Sequence, residues 1–167
     1  NIVRYVRNGG AVLVAAGPEF ATSASLARTR LSPIIPGTPD GRIIEEPYKA
    51  RLTGPGERHP VTRELPGSEQ SPPAWGEWLR VIGADVRGGQ TVMSGAGDRP
   101  LLVLQREGQG RVALLLSDHA WLWARGYREG GPHLDLLRRL AHWLMKEPAL
   151  EEEALRAAAT GRQIRIE

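Results

Sequence analysis

The sequence predicts an α/β domain in which helices flank a sheet, and three observations carry that prediction. A helical pattern runs into Asn8-Gly9-Gly10 and is followed at once by the unbroken apolar run Ala11 to Ala16. Two later apolar runs, Leu101 to Arg106 and Arg111 to Ser117, flank the glycine-bearing link Glu107-Gly108-Gln109-Gly110. A helical stripe then extends from His133 to Lys146. A strand apolar throughout is buried on both faces, so the helices must lie on either side of the sheet.

Taken in order, Ile2, Val3, Tyr5 and Val6 recur at the three-and-four spacing of a helix. Gly9 and Gly10 tolerate the left-handed backbone of its C-terminal cap. The run Ala11 to Ala16 is a buried strand of parallel type, stopped by Gly17-Pro18. Phe20 to Arg30 predicts a weak helix, and Pro33, Pro36, Gly37, Pro39 and Gly41 mark an irregular stretch after it. Ile43-Ile44 and Tyr48 to Leu52 read as short strands, and His59 to Gly67 as an ordered turn and loop. Further strands are expected at Trp78 to Ile82 and at Thr91 to Met93.

The link Glu107 to Gly110 makes the two later runs an antiparallel hairpin near the C-terminal end. Gly130-Gly131-Pro132 prepares the start of the helix His133 to Lys146, because proline suits the first helical turn. In that helix Leu134, Leu137, Ala141 and Leu144 form one stripe, broadened by Leu136, Leu140 and Trp143, which predicts a wide buried face. Pro148 ends it. An Ala-rich helix follows, opened by Glu151-Glu152-Glu153 and closed by Gly161, and Gln163 to Ile166 alternates as the start of another strand. The division is thus residues 1–147 as the domain and 148–167 as a C-terminal helix leading into a following segment.

A chain of 167 residues that is 41% hydrophobic and 25% charged has the material for one core. No run approaches the roughly 18 apolar residues of a membrane span, and no basic, apolar leader is present. The start at Asn1, directly in a helical pattern, reads as a segment of a longer polypeptide. A formal charge of +3 is spread over scattered arginines, with Lys49 and Lys146 as the lysines, so a nucleic-acid surface is not indicated. The chain contains no cysteine, which excludes disulfides, thiolate metal sites and a thiol nucleophile.

Four segments, "YVRNGGAVLVAAGPEFA", "RHPVTRELPG", "GQGRVALLLSDHAWLWARG" and "GGPHLDLLRRLAHWLMKEPALEEEALRA", together resemble the class I glutamine amidotransferase-like superfamily. The resemblance is to the branch found in large bacterial membrane-associated proteins and, more distantly, to the trehalose-utilisation (ThuA-like) branch. It implies an open, mostly parallel, flavodoxin-like sheet whose N-terminal βα units are missing. It also implies a soluble segment of a membrane-associated bacterial protein. The strand Val12 to Ala15 would then have an open edge, for a second chain in a homodimer or a rearranged segment to cover.

Catalytic members place a cysteine on the tight turn after a sheet strand, because glutamine's amide must be attacked to form a thioester. Here that turn is Ala16-Gly17-Pro18-Glu19, without thiol or hydroxyl. A non-catalytic binding or assembly module follows as the leading expectation, its partner an unidentified small polar ligand or protein.

The segment Ser117 to Gly126 leaves the end of a predicted strand, where open α/β sheets present ligand-binding groups. Asp118 and His119 are the candidate acid/base or ligand-binding pair. Gly17, Pro18, Glu19, Trp121, Trp123 and Arg125 are the other ligand-binding candidates, the tryptophans as an apolar wall. The bland alternative has Asp118 capping a turn, His119 on a local carbonyl, the tryptophans packed inside and Glu19 capping the next helix. An enzyme using Asp118, His119 and water, or a site completed by a partner, is one competing class. Carbohydrate recognition on the paired tryptophans is the other. His59, His119, His133 and His142 have no metal-ligand spacing, and no cofactor motif is present.

Overall fold

The computed structural model describes residues 1–147 in full and the backbone of 157–160 and 163–166. The chain opens with helix α1 (Ile2–Arg7), capped by the Asn1 side chain on the Val3 amide, and enters strand β1 (Ala11–Ala15). There follow β2 (Gly37–Ile44), β3 (Arg51–Leu52), α2 (Gly54–Arg58), β4 (Val81–Val86) and β5 (Gln90–Ser94). The hairpin strands are β6 (Pro100–Glu107) and β7 (Gly110–Leu115), and α3 (Trp121–Ala124) and α4 (His133–Leu144) come after them. The last elements are β8 (Ala157–Thr160) and β9 (Gln163–Ile166).

The main sheet has five strands in the order β1-β7-β6-β5-β3. Among the described residues its one parallel pair is β1 with β7, in register from Ala11↔Arg111 to Ala15↔Leu115. The expected mostly parallel sheet is therefore corrected to a mixed one with an antiparallel majority. The reason is local: β5, β6 and β7 follow one another through links too short for a crossover, so each must turn back on its predecessor. The β6–β7 hairpin forms as the sequence predicts, with Glu107 opposite Gly110 and Gly108 at φ +59, the positive angle that a two-residue hairpin turn requires. A second sheet pairs β2 with β4 antiparallel, and β8 pairs with β9 in a third.

Several local expectations change for identifiable reasons. Phe20 to Arg30 is not a helix but two 3-10 turns, Pro18–Ala21 and Leu26–Arg28. The Thr22, Ser25 and Thr29 hydroxyls bond nearby backbone groups and compete with helical pairing. The strand expected from Trp78 begins at Val81, and Trp78 makes an isolated bridge to Tyr48. Of the Ala-rich helix, residues 148–156 lie outside the described residues, and Ala157–Thr160 is strand, drawn into a hairpin by the alternating Gln163–Ile166.

The two faces of the main sheet are covered differently. Val6 of α1 packs with Ile34 on Val112 and Val12, while the neighbouring Arg111 donates to the carbonyl of Trp143 on α4. Successive strand residues point to opposite faces, so α1 and α4 sandwich the sheet. In α4 the buried residues are Leu136, Leu140 and Trp143. Of the stripe Leu134, Leu137, Ala141 and Leu144, Leu134 is 76% exposed and Ala141 is also exposed, whereas Leu137 is half-buried and Leu144 packs half-buried against the core. Among the described residues no strand pairs with the far side of β1.

Candidate functional site

Parallel pairing sends β1 and β7 out of the sheet at the same end, and this alone brings two distant candidate segments together. After β1 the chain turns at Gly17 into the 3-10 turn Pro18–Ala21, with Glu19 in its first turn. After β7 come Ser117, Asp118 and His119. A Cβ placed on Gly17 would stand 3.1 Å from Glu19 Oε2 and 3.4 Å from Asp118 Oδ2. The Gly17 turn thus faces two carboxylates.

Asp118 is held by Arg80, whose Nη1 lies 3.1 Å from Oδ2 and 3.4 Å from Oδ1. The same guanidinium donates through Nε and Nη2 to Glu45 Oε1 at 3.0 and 2.8 Å. The hydrogen bonds that Arg80 donates to Glu45 and the charge of Asp118 both raise the pKa of Arg80, so one permanent cation bridges two carboxylates. His119 is held from the backbone: its Nδ1 accepts the Leu79 amide at 3.3 Å, which leaves the proton of the neutral ring on Nε2. Nε2 stands 3.7 Å from Asp118 Oδ1, beyond hydrogen-bond reach.

The turn below is capped by Ser117, not by Asp118. The Ser117 hydroxyl is fully buried, donates to the Arg80 carbonyl at 2.6 Å and accepts the His119 amide at 3.1 Å. Tyr48 donates to the same Arg80 carbonyl at 2.9 Å. Burial pushes the Tyr48 phenol far above its ordinary value; the charge of Asp118 adds to the rise, and the Ser117 contact offsets part of it. Because the folded-state value is the raised one, Tyr48 favours folding below the unfolded value of about 10 and that contribution falls as pH climbs through it. Melting temperatures taken upward from pH 8 are expected to decline above about pH 10, and Tyr48→Phe to flatten part of that decline.

The two tryptophans separate. Trp121 is 54% exposed and lies edge-on to His119, with ring centroids 6.4 Å apart. Trp123 is buried, stacks against Trp75 and Trp78 at 5.3 and 4.7 Å, and donates to the Gly76 carbonyl at 2.8 Å. The expected paired wall is therefore corrected: one ring faces solvent and the other belongs to the core, because successive residues of the short α3 point about 100° apart. Arg125 stands exposed at the C-terminal end of α3. Pro18 starts the 3-10 turn.

Sequence reasoning missed Arg80, Glu45, Tyr48 and Ser117. One signal was legible, namely a single arginine inside the otherwise apolar run Trp78 to Ile82. A hollow of about 550 Å³ lies elsewhere, between Arg51, Glu57, Leu65, Glu69 and Pro73, and one of about 150 Å³ opens beside Gly17, Glu19 and Phe20.

No protein-family model and no curated protein matches the chain. Solved structures do. A cytoplasmic protein from Salmonella typhimurium is similar at 24% identity with a TM-score of 0.70, over 86% of this chain and 58% of that one. A second cytoplasmic protein from Salmonella typhimurium LT2 is similar at 22% identity and 0.66, over the same shares. A β-galactosidase from Rahnella sp. R3 is similar at 15% identity and 0.53, over 94% of this chain and 22% of the enzyme. These likenesses show a shared α/β fold, and the chain spans less than two thirds of each of these proteins. No described helix is long and apolar enough to cross a membrane.

Proposed function

We propose that the chain is a non-catalytic module on an amidotransferase-like scaffold, working by binding or assembly within a larger bacterial envelope-associated protein. The observation that carries this reading is the state of the polar groups where β1 and β7 end. The Gly17 turn offers no thiol or hydroxyl, Asp118 is neutralised by Arg80, and the His119 Nδ1 that a general base would use is bonded to backbone. Nucleophile, base and orienting group need mutual hydrogen bonds to act as one unit, and the hydrogen bonds of Asp118 and His119 go to Arg80 and the Leu79 amide. The scaffold name and the envelope-associated parent rest on the sequence resemblance alone.

Two measurements separate this from an enzyme. Ammonia release from glutamine by the purified chain is expected to stay at the buffer rate, and turnover at an enzymatic rate would overturn the proposal. A catalytic carboxylate is commonly held at a cost in stability and its neutralisation stabilises the fold, whereas a carboxylate engaged structurally is missed. Asp118→Asn is therefore expected to lower stability, by no more than about 1 kcal/mol because the pair is partly solvent-exposed. A higher melting temperature for Asp118→Asn would instead favour a reactive site.

A further inference from the structure

Between α3 and α4 the chain adopts a backbone that its side chains resist. Four of the five residues 126–130 have positive φ: Gly126 and Gly130 at +70, where glycine meets no penalty, but also Arg128 at +45 and Glu129 at +78. A residue that carries a Cβ stays in the left-handed region only where its surroundings compel it, and such residues cluster at clamps and switches. Here the surroundings are one dipeptide, Gly76-Glu77. Glu77 pairs with Arg128 at 2.8 Å, and its Oε2 is buried with no other partner among the described residues. The Gly76 amide donates to the Gly130 carbonyl, and a Cβ on Gly76 would collide with the carbonyls of Tyr127 and Arg128.

The same dipeptide holds α3. Trp123 donates from Nε1 to the Gly76 carbonyl, and Gly131, just past residue 130, lies against the Trp123 ring. Gly76 therefore commits its N–H to residues 126–130 and its C=O to α3. At the other end of α3 the Leu122 amide bonds the His119 carbonyl, and Trp121 stands edge-on to the His119 ring, which is 16% exposed.

We infer that residues 126–130 are a strained strap that latches α3 to Gly76-Glu77, and that its release carries Trp121 off His119. This rests on the binding reading of the module and names how access to that site is controlled. On release Gly126 and Gly130 are the hinges, because glycine crosses to negative φ at no steric cost. Arg128 and Glu129 relax to ordinary backbone, and the two Gly76 hydrogen bonds break together. The ion pair opposes this weakly, since Arg128 is 59% exposed. The seat of Trp123 against Trp75 and Trp78 opposes it more and keeps the latched state dominant. A polar ligand that reaches His119 only in the released state shifts the balance by its difference in affinity for the two.

Native-state hydrogen exchange of the 167-residue chain, followed by NMR, tests this. Three protons report: the Gly76 amide on the strap, the Trp123 indole N–H on its seat and the Leu122 amide on His119. They are expected to exchange as one unit, ahead of the Leu116 amide that donates to Leu101 in the sheet, and with less acceleration by urea. Arg128→Met removes the ion pair at an exposed position and is expected to speed all three about threefold. Glu129→Gly relieves strain without touching a bond of the latch and is expected to slow all three about fivefold. Exchange of the indole only together with Leu116, a Leu122 amide that stays protected while the other two exchange, or faster exchange in Glu129→Gly would each overturn the latch. None of these rates depends on the ammonia assay, so failure of the latch and failure of the non-catalytic reading are read separately.

Discussion

Replacing Trp123 by alanine is expected to destabilise the fold by about 3–5 kcal/mol, measured by urea unfolding. The ring is 3% exposed and stacks on both Trp75 and Trp78, and its Nε1–H satisfies the Gly76 carbonyl. Truncation opens a cavity among large neighbours that cannot collapse into it and leaves a buried acceptor without its donor. Trp121→Ala is the control: its exposed ring stacks on no other tryptophan, and a change within about 0.5 kcal/mol is expected. Equal effects for the two variants would contradict the assignment of one tryptophan to the core and the other to the surface.

Gly110→Ala is the second large effect. A Cβ at this position would overlap the carbonyl oxygens of Val6 and Gly10, both of them backbone. No side-chain rotation relieves that overlap, so α1 must lift from the β7 strand it covers, at a loss of about 3 kcal/mol or more. Gly97→Ala offers the contrast, since no atom lies within 4 Å of its Cβ and only its φ of +59 opposes substitution. There the expected loss is about 1 kcal/mol. The glycine at 110 thus reports close packing of backbone, and the one at 97 reports a turn.

These two positions also show what could be read in the sequence. The Gly-Gln-Gly link predicted the β6–β7 hairpin because the turn chemistry is local, and the run Ala11 to Ala16 predicted β1 because a strand buried on both faces is apolar throughout. The strand order was not legible. Parallel pairing joins β1 to β7 across most of the chain, whereas β5, β6 and β7 turn back on each other through short links, and no periodicity distinguishes these cases. Gly17, Glu19, Asp118 and His119 were named from their places after two apolar runs, and the parallel pair brings them to one end. Arg80 and Glu45, which decide the state of Asp118, come from irregular segments whose placement depends on tertiary packing. Leu134 and Ala141 were read as core with Leu137 and Leu144 because helical periodicity marks an apolar flank without saying how far its cover extends.

The central claim is that no group at the end of β1 and β7 forms a covalent bond to an acyl substrate. Intact-mass spectrometry of the chain after incubation with an electrophilic analogue of glutamine tests it directly. The claim predicts an unchanged mass. A stoichiometric adduct mapped to the peptide spanning Gly17 and Glu19, or to that spanning Ser117 and His119, would contradict it.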